Sequence, residues 1–87
     1  MHEASLVLDL LRRIEGMAGE SGARSVIGVK VRMGTLCHFS PEHLRGHFQQ
    51  AARGTLADGA RLTIEISSDV RDPHAQDIML DSLEVEL

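Results

Sequence analysis

The sequence predicts an α+β fold, a two-layer sandwich in which two helices pack on one face of a three-stranded sheet. Apolar residues recur at helical spacing in two segments and alternate with polar residues in three others, in the order α-β-α-β-β. Strands that are apolar on one face only require helices on that face and water on the other. The 87 residues fit one domain, 1–87, and no linker or repeat divides them.

The two helices are predicted from their apolar stripes and their ends. The first runs from Ser5 to about Gly19. Its stripe is expected to contain Leu6, Leu10, Ile14 and Met17, with Leu11 and Ala18 beside them. The second has the clearest start, because Ser40 caps the helix, Pro41 fills its first turn and Glu42 suits its dipole. Its buried face is expected to contain Leu44, Phe48, Ala51 and Ala52.

The three strands are predicted from apolar residues that alternate with polar ones. The strands contain, in order, Ile27, Val29, Val31 and Met33; Leu62, Ile64 and Ile66; and Leu83, Val85 and Leu87. Between the second and third strands lies a polar loop at 67–77. The helix between the first two strands favours a right-handed crossover.

Composition and charge argue against several classes of function. The net charge is −4, and acidic and basic residues are interspersed, so we expect no nucleic-acid partner. No apolar run approaches the ~20 residues that cross a bilayer, and the acidic start differs from a signal peptide, so we expect no membrane association and a cytoplasmic protein. The single cysteine, Cys37, excludes an intramolecular disulfide and a zinc site built on Cys pairs. No catalytic arrangement is recognisable, so we expect no enzyme and no catalytic residues.

The N-terminus carries a candidate metal chelate. The amine of Met1, the backbone nitrogen of His2 and its imidazole can close two fused rings on one ion, and planar nitrogen donors suit Ni(II) or Cu(II). Glu3 or a nearby histidine can fill the fourth position. We expect Met1 to be retained because His2 is not a small residue. From the residues alone, a solvated terminal histidine is the simpler interpretation of His2.

Other histidines offer weaker candidates. His43 and His47 are four residues apart on one side of the second helix, the spacing of a secondary metal pair, although two histidines that flank the apolar stripe are the simpler interpretation. Cys37 and His38 are adjacent potential ligands, but a packed cysteine is the simpler interpretation. His74 lies in the polar loop and is expected to be solvated.

Short segments in a fixed order carry a resemblance to a known family. They are Met1-His2-Glu3-Ala4-Ser5-Leu6, Gly22-Ala23, Met33-Gly34-Thr35-Leu36, Ser40-Pro41-Glu42 with Leu44 and Phe48, Gly54-Thr55-Leu56-Ala57-Asp58-Gly59-Ala60 with Leu62-Thr63-Ile64, and Ser82-Leu83-Glu84-Val85-Glu86. The chain resembles the HypA/HybF family of nickel metallochaperones in hydrogenase maturation. Members have the same α-β-α-β-β domain with a zinc ribbon of two Cys-x-x-Cys pairs between the second and third strands. Here the loop at 67–77 stands in that place, so we expect no zinc.

The resemblance implies a nickel carrier for [NiFe]-hydrogenase. His2 would be the principal Ni(II) ligand and Glu3 would support it, with delivery to the large-subunit precursor and help from a GTPase nickel chaperone. The alternative is an adaptor that recognises the precursor and has lost metal delivery, which absence of the ribbon favours. Retention of Met1-His2-Glu3 favours the carrier. A third hypothesis is a homodimer formed through an exposed strand edge.

Overall fold

Five elements form in the predicted order and confirm the α+β class. A computed structural model describes residues 2–37, 39–73 and 75–87, with side chains from Ser5 onward. Its elements are α1 (His2–Glu20), β1 (Ser25–Met33), α2 (Pro41–Ala51), β2 (Arg61–Ile66) and β3 (Ile78–Glu86). The strands lie in the order β2-β1-β3, with β1 parallel to β2 and antiparallel to β3. The sheet is therefore mixed, with β1 at its centre.

One hydrophobic cluster joins both helices to one face of the sheet. Its members from α1, β1 and α2 include Val7, Leu10, Ile14, Val29, Val31, Leu44 and Phe48, all buried. The opposite face of the sheet carries exposed charges that pair across the strands. One pair joins Arg61 Nη2 of β2 to Glu84 Oε1 of β3 at 2.9 Å. It passes over Gly28 of β1, where a Cβ would lie 3.3 Å from the Glu84 oxygen. Exposed pairs contribute little to stability, so the cluster holds the fold.

Short connections fix the direction of both helices. Only residues 21–24 separate α1 from β1, so α1 must run back along the sheet, opposite to β1. The helix α2 lies in the crossover between the parallel strands β1 and β2, and Val26 N–H donates to the Leu56 carbonyl at 2.8 Å, which returns the chain to the start of β1. The two helices therefore run roughly parallel to each other, with their N-termini at the same end of the sheet.

The apolar stripe of α1 is rotated from the predicted one. Val7, Leu10, Leu11, Ile14 and Ala18 are buried. Leu6 and Met17, predicted to be core residues, are 38% and 45% exposed, so that prediction was wrong. At 100° per residue both lie on the same flank of the helix relative to Ile14, outside the arc that faces the sheet. The helix also begins at His2, earlier than the predicted Ser5.

Two bulges explain the errors in the strands. In the pairing of β1 with β3, Ile27 is the extra residue between Val26 and Gly28, so Val26 is buried and Ile27 is exposed, against the prediction. The second bulge is at Asp81, between Leu80 and Ser82. This bulge shifts the alternation of apolar residues, so the sequence pattern did not predict the first residues of β3, which begins at Ile78.

The ends of the outer strands are also more exposed than predicted. Ile66, the last residue of β2, is 55% exposed, and Leu87 lies beyond the end of β3. Neither residue contributes to the core as the alternation suggests. Both predictions were wrong because an outer strand loses the cover of the helices where it leaves the helix layer.

The helix α2 matches its prediction closely. Ser40 Oγ accepts a hydrogen bond from the His43 N–H at 3.1 Å, and Pro41 opens the first turn. Leu44, Phe48 and Ala52 are buried. Arg45 donates a hydrogen bond to the carbonyl of Leu62 in β2 and so ties the outer flank of α2 to the sheet.

Substitution of a glycine inside α2 is expected to stabilise the protein. Gly46 is exposed in the second turn, and a Cβ there would meet no atom within 4 Å. Gly46→Ala is expected to raise the free energy of unfolding by about 0.5–1 kcal/mol, because alanine loses less backbone entropy on helix formation. Urea titration followed by circular dichroism measures this difference. A lower stability in the variant would contradict the open environment assigned to Gly46.

Candidate functional site

The candidate nickel site at the N-terminus lies mostly outside the described residues. Met1 is not described, nor are the side chains of His2 and Glu3. The backbone of His2 is described and begins α1. The first four N–H groups of an α-helix have no acceptor within the helix, so the amide of His2 is not committed to a helical hydrogen bond. The sequence prediction for Met1, His2 and Glu3 stays a prediction.

The second candidate, the pair of histidines on α2, is fully described. His43 and His47 are both exposed, and their ring centroids lie 6.4 Å apart with the planes at 76°. Both rings project from the same side of α2, because residues four apart are neighbours on a helix surface. The predicted spacing therefore brings the two imidazoles together, and both remain accessible to water.

This side of α2 borders the groove between the helices. Val7 and Leu8 of α1 face His47, Gln50 and Ala51 of α2 across an open groove of about 210 Å³. Leu8 lies outside the stripe that α1 buries, and it is 50% exposed. The apolar pattern of the sequence does not predict this groove. A leucine outside the apolar stripe was the one signal that could have indicated it.

The other candidate ligands from the sequence are Cys37, His38 and His74. Among the described side chains, no group of three or more His, Cys, Asp or Glu residues could hold a metal ion. Cys37 is half-buried and packs against the hydrophobic cluster, in agreement with the simpler interpretation of that residue. His38 and His74 lie outside the described residues.

Charges on the open face of the sheet neutralise one another. Lys30 Nζ lies 3.7 Å from Glu65 and 3.8 Å from Asp81, and Arg32 Nη2 lies 3.3 Å from Glu65. Each of these side chains is between two fifths and about half exposed. Lys30 of the central strand thus has carboxylate partners on both neighbouring strands, and Arg32 has one on β2.

Comparison with known proteins identifies the family to which the chain belongs. The family model described as hydrogenase/urease nickel incorporation, metallochaperone, HypA, matches residues 1–71. The chain therefore belongs to the HypA family, which confirms the resemblance that its sequence segments indicate. No helix in the described part of the chain is long and apolar enough to cross a membrane.

Individual relatives agree with the family assignment. The chain is 39% identical to hydrogenase maturation factor HypA of Archaeoglobus fulgidus over 72 residues, which are 82% of this chain and 66% of the relative. It is 42% identical to HypA of Chlorobium limicola over 65 residues, which are 75% of this chain and 56% of the relative. The chain thus spans between half and two thirds of the length of these two relatives.

A solved structure shares the fold. The solution structure of the nickel metallochaperone HypA from Helicobacter pylori superposes with a TM-score of 0.82 over 97% of this chain and 97% of that chain. The two sequences are 18% identical, so this likeness supports the fold alone. It agrees with the α+β class and the arrangement of two helices and three strands.

Proposed function

We propose that the protein binds Ni(II) at its N-terminus through Met1, His2 and Glu3 and delivers it, in the cytoplasm, to the large-subunit precursor of a [NiFe]-hydrogenase. The observation that supports this most is the match to the nickel-incorporation family, which begins at residue 1 and so includes the Met-His-Glu segment. By the same family relation, a GTPase nickel chaperone is the proposed partner in delivery. Nickel is here a cargo and not a resident cofactor, and no enzymatic activity is proposed.

The N-terminal donors have the chemistry that this function requires. An amine, a deprotonated amide nitrogen and an imidazole form a planar set that suits Ni(II). The start of α1 at His2 favours this set, because the helix dipole stabilises the negative charge of a deprotonated amide at the first turn. Glu3 follows within the same turn, and in this proposal its carboxylate fills a remaining coordination position of the Ni(II) ion.

Nickel titration of the wild type and of His2→Ala tests the proposal. We expect one ion per chain in the wild type and at least ~10-fold weaker binding in the variant, since loss of even a supporting outer group costs about 10–100-fold in metal affinity. Affinity should rise with pH, because the nitrogen donors release protons as the ion binds. Calorimetry on untagged protein that starts at Met1 gives both results. Equal affinities for the wild type and the variant would refute the site.

The same proposal treats residues 1–87 as one nickel-binding domain without a structural zinc. Cys37 is the only cysteine, and it packs against the hydrophobic cluster, so it is not available to anchor a zinc ribbon. Elemental analysis of protein purified without chelators measures this directly. A stoichiometric zinc content would contradict the proposal.

The adaptor function is the second candidate. The chain spans between half and two thirds of the length of the relatives compared above, and the 67–77 segment joins β2 to β3 without a Cys-x-x-Cys pair. An adaptor would bind a hydrogenase precursor in the absence of nickel and would show no nickel binding by itself. Pull-down of the precursor with metal-free protein, together with the titration above, separates the two functions.

A homodimer is proposed at the strand edges. Both β2 and β3 are outer strands of the described sheet, so each has one edge that no neighbouring strand of that sheet covers. Sedimentation that shows only monomer at high protein concentration would contradict a dimer.

A further inference from the structure

Two imidazoles lie side by side on one side of α2. Residues four apart on a helix have Cβ atoms about 5–6 Å apart and face the same way. The rings of His43 and His47 accordingly lie with their centroids 6.4 Å apart, and both side chains are exposed. The pair has the placement of two ligands that can hold one metal ion without a donor from another segment of the chain.

The packing of α2 fixes the backbone that carries the two rings. Leu44 comes directly after His43 and is 1% exposed. Phe48 stands in the same relation to His47 and is also 1% exposed. The first turn is held by Ser40 Oγ, which accepts a hydrogen bond from the His43 N–H at 3.1 Å. Side chains on a packed helix are positioned more precisely than side chains on a loop, so the two ligands are largely preorganised.

The distance between the rings is compatible with one shared ion. A metal–imidazole bond is about 2.0–2.1 Å long, so the two coordinating nitrogens must come within roughly 4 Å of each other. The rings now meet edge to face, with their planes at 76°. Because both side chains are exposed, their other staggered conformers are accessible, and rotation of the rings brings two nitrogens to this distance.

The surroundings of the pair leave room for the other ligands of an ion. Gly46 comes directly before His47, and a Cβ there would meet no atom within 4 Å. Gln50 lies one turn after His47 and borders the same open groove. The side-chain oxygen of Gln50 can accept a hydrogen bond from a water molecule on the ion. An ion held by the two imidazoles therefore keeps its other positions open to water or to donors of another molecule.

The type of ligand selects the class of ion. Imidazole suits first-row divalent ions such as Ni(II), Cu(II) and Zn(II), whereas Mg²⁺ and Ca²⁺ prefer oxygen ligands. We propose that His43 and His47 chelate one such ion on the surface of α2, at a site separate from the N-terminal chelate. Because the pair offers two donors and no fused rings, it holds Ni(II) more weakly than the N-terminus does. It therefore fills after the one ion expected there.

Nickel titration in a His2→Ala background tests this inference, because that variant lacks the imidazole of the N-terminal chelate. By calorimetry, His2→Ala is expected to bind one Ni(II) per chain through the pair on α2. Exchange of two exposed residues of α2, in the variant His2→Ala/His43→Gln/Gln49→His, should weaken this binding by at least ~10-fold, since loss of even a supporting group costs about 10–100-fold. The exchange keeps the composition and the number of imidazoles. It leaves the two histidines of α2 two residues apart, where side chains do not face each other.

Urea unfolding gives a second readout of the same site. An ion that binds the folded protein in preference to the unfolded chain stabilises the folded state. Ni(II) should therefore raise the urea midpoint of His2→Ala more than that of the exchange variant. Equal midpoints without Ni(II) would show that the exchange leaves the fold intact. A midpoint that Ni(II) raises equally in both variants would contradict a chelate between His43 and His47.

The outcomes separate this inference from the proposed function. If His2→Ala binds no Ni(II), or binds it as tightly as the exchange variant does, the site on α2 is refuted, and the N-terminal site is judged from the wild type alone. If His2→Ala binds as tightly as the wild type while the exchange variant loses binding, the site on α2 stands and the N-terminal site is refuted. If the wild type binds two ions, His2→Ala binds one, and the exchange removes it, both sites stand.

Discussion

Phe48→Ala is expected to lower the free energy of unfolding by about 3–5 kcal/mol. Phe48 is 1% exposed, is among the largest fully buried side chains, and lies in the cluster that joins α2 to α1 and β1. A domain of 87 residues has roughly 4–13 kcal/mol in total at the usual 0.05–0.15 kcal/mol per residue. The loss would therefore leave much of the chain unfolded at the lower end of that range.

Urea unfolding followed by circular dichroism measures the effect of Phe48→Ala. Gln49→Ala serves as the control, because this exposed neighbour on the same helix should change stability by no more than ~0.5 kcal/mol. Phe48→Leu should lie between the two, since leucine retains most of the buried apolar surface. A loss below ~1 kcal/mol in Phe48→Ala would show that α2 packs elsewhere than on the cluster.

The accuracy of the sequence prediction differs between the elements for physical reasons. The start of α2 was predicted to the residue, because its signals are local: a capping hydroxyl, a proline in the first turn and an acidic residue beside it. The start of β3 was missed, because the bulge at Asp81 shifts the alternation of apolar residues by one. A bulge is defined by pairing with a distant strand, which one segment of sequence does not contain.

The stripe of α1 illustrates a second limit. Leu6 and Met17 have the same apolar character as Leu10 and Ile14, so spacing alone includes all four in one stripe. Which arc of the helix faces the sheet depends on the tilt and rotation of α1 over β1 and β3. Those are set by the packing of the whole layer, and they leave Leu6 and Met17 on the exposed flank.

The candidate site also has one feature that the sequence predicts and another that depends on tertiary structure. Sequence spacing was sufficient to place His43 and His47 side by side, because that relation lies within one helix. Their position beside the N-terminal half of α1 depends on three facts of tertiary structure. These are the parallel pairing of β1 with β2, the short connection from α1 to β1, and the groove that Val7 and His47 line together. None of these can be obtained from the spacing of histidines.

Acetylation of the Met1 amine is expected to weaken Ni(II) binding by at least ~10-fold. Acetylation converts this amine into an amide and so removes the first donor of the chelate. The ring that joins the amine to the His2 nitrogen then no longer closes. Since loss of an outer-shell partner alone costs about 10–100-fold, loss of a direct donor should cost at least as much.

A protein acetylated only at its N-terminus keeps His2, Glu3, His43 and His47, so it separates the chelate from the mere presence of imidazoles. Calorimetric titration with Ni(II) measures the affinity, and urea unfolding confirms that the fold is unchanged. The matched control is the same protein with a free Met1 amine. If the acetylated protein binds Ni(II) as tightly as this control, the ion is held without the amine of Met1, and the chelate proposed here is wrong.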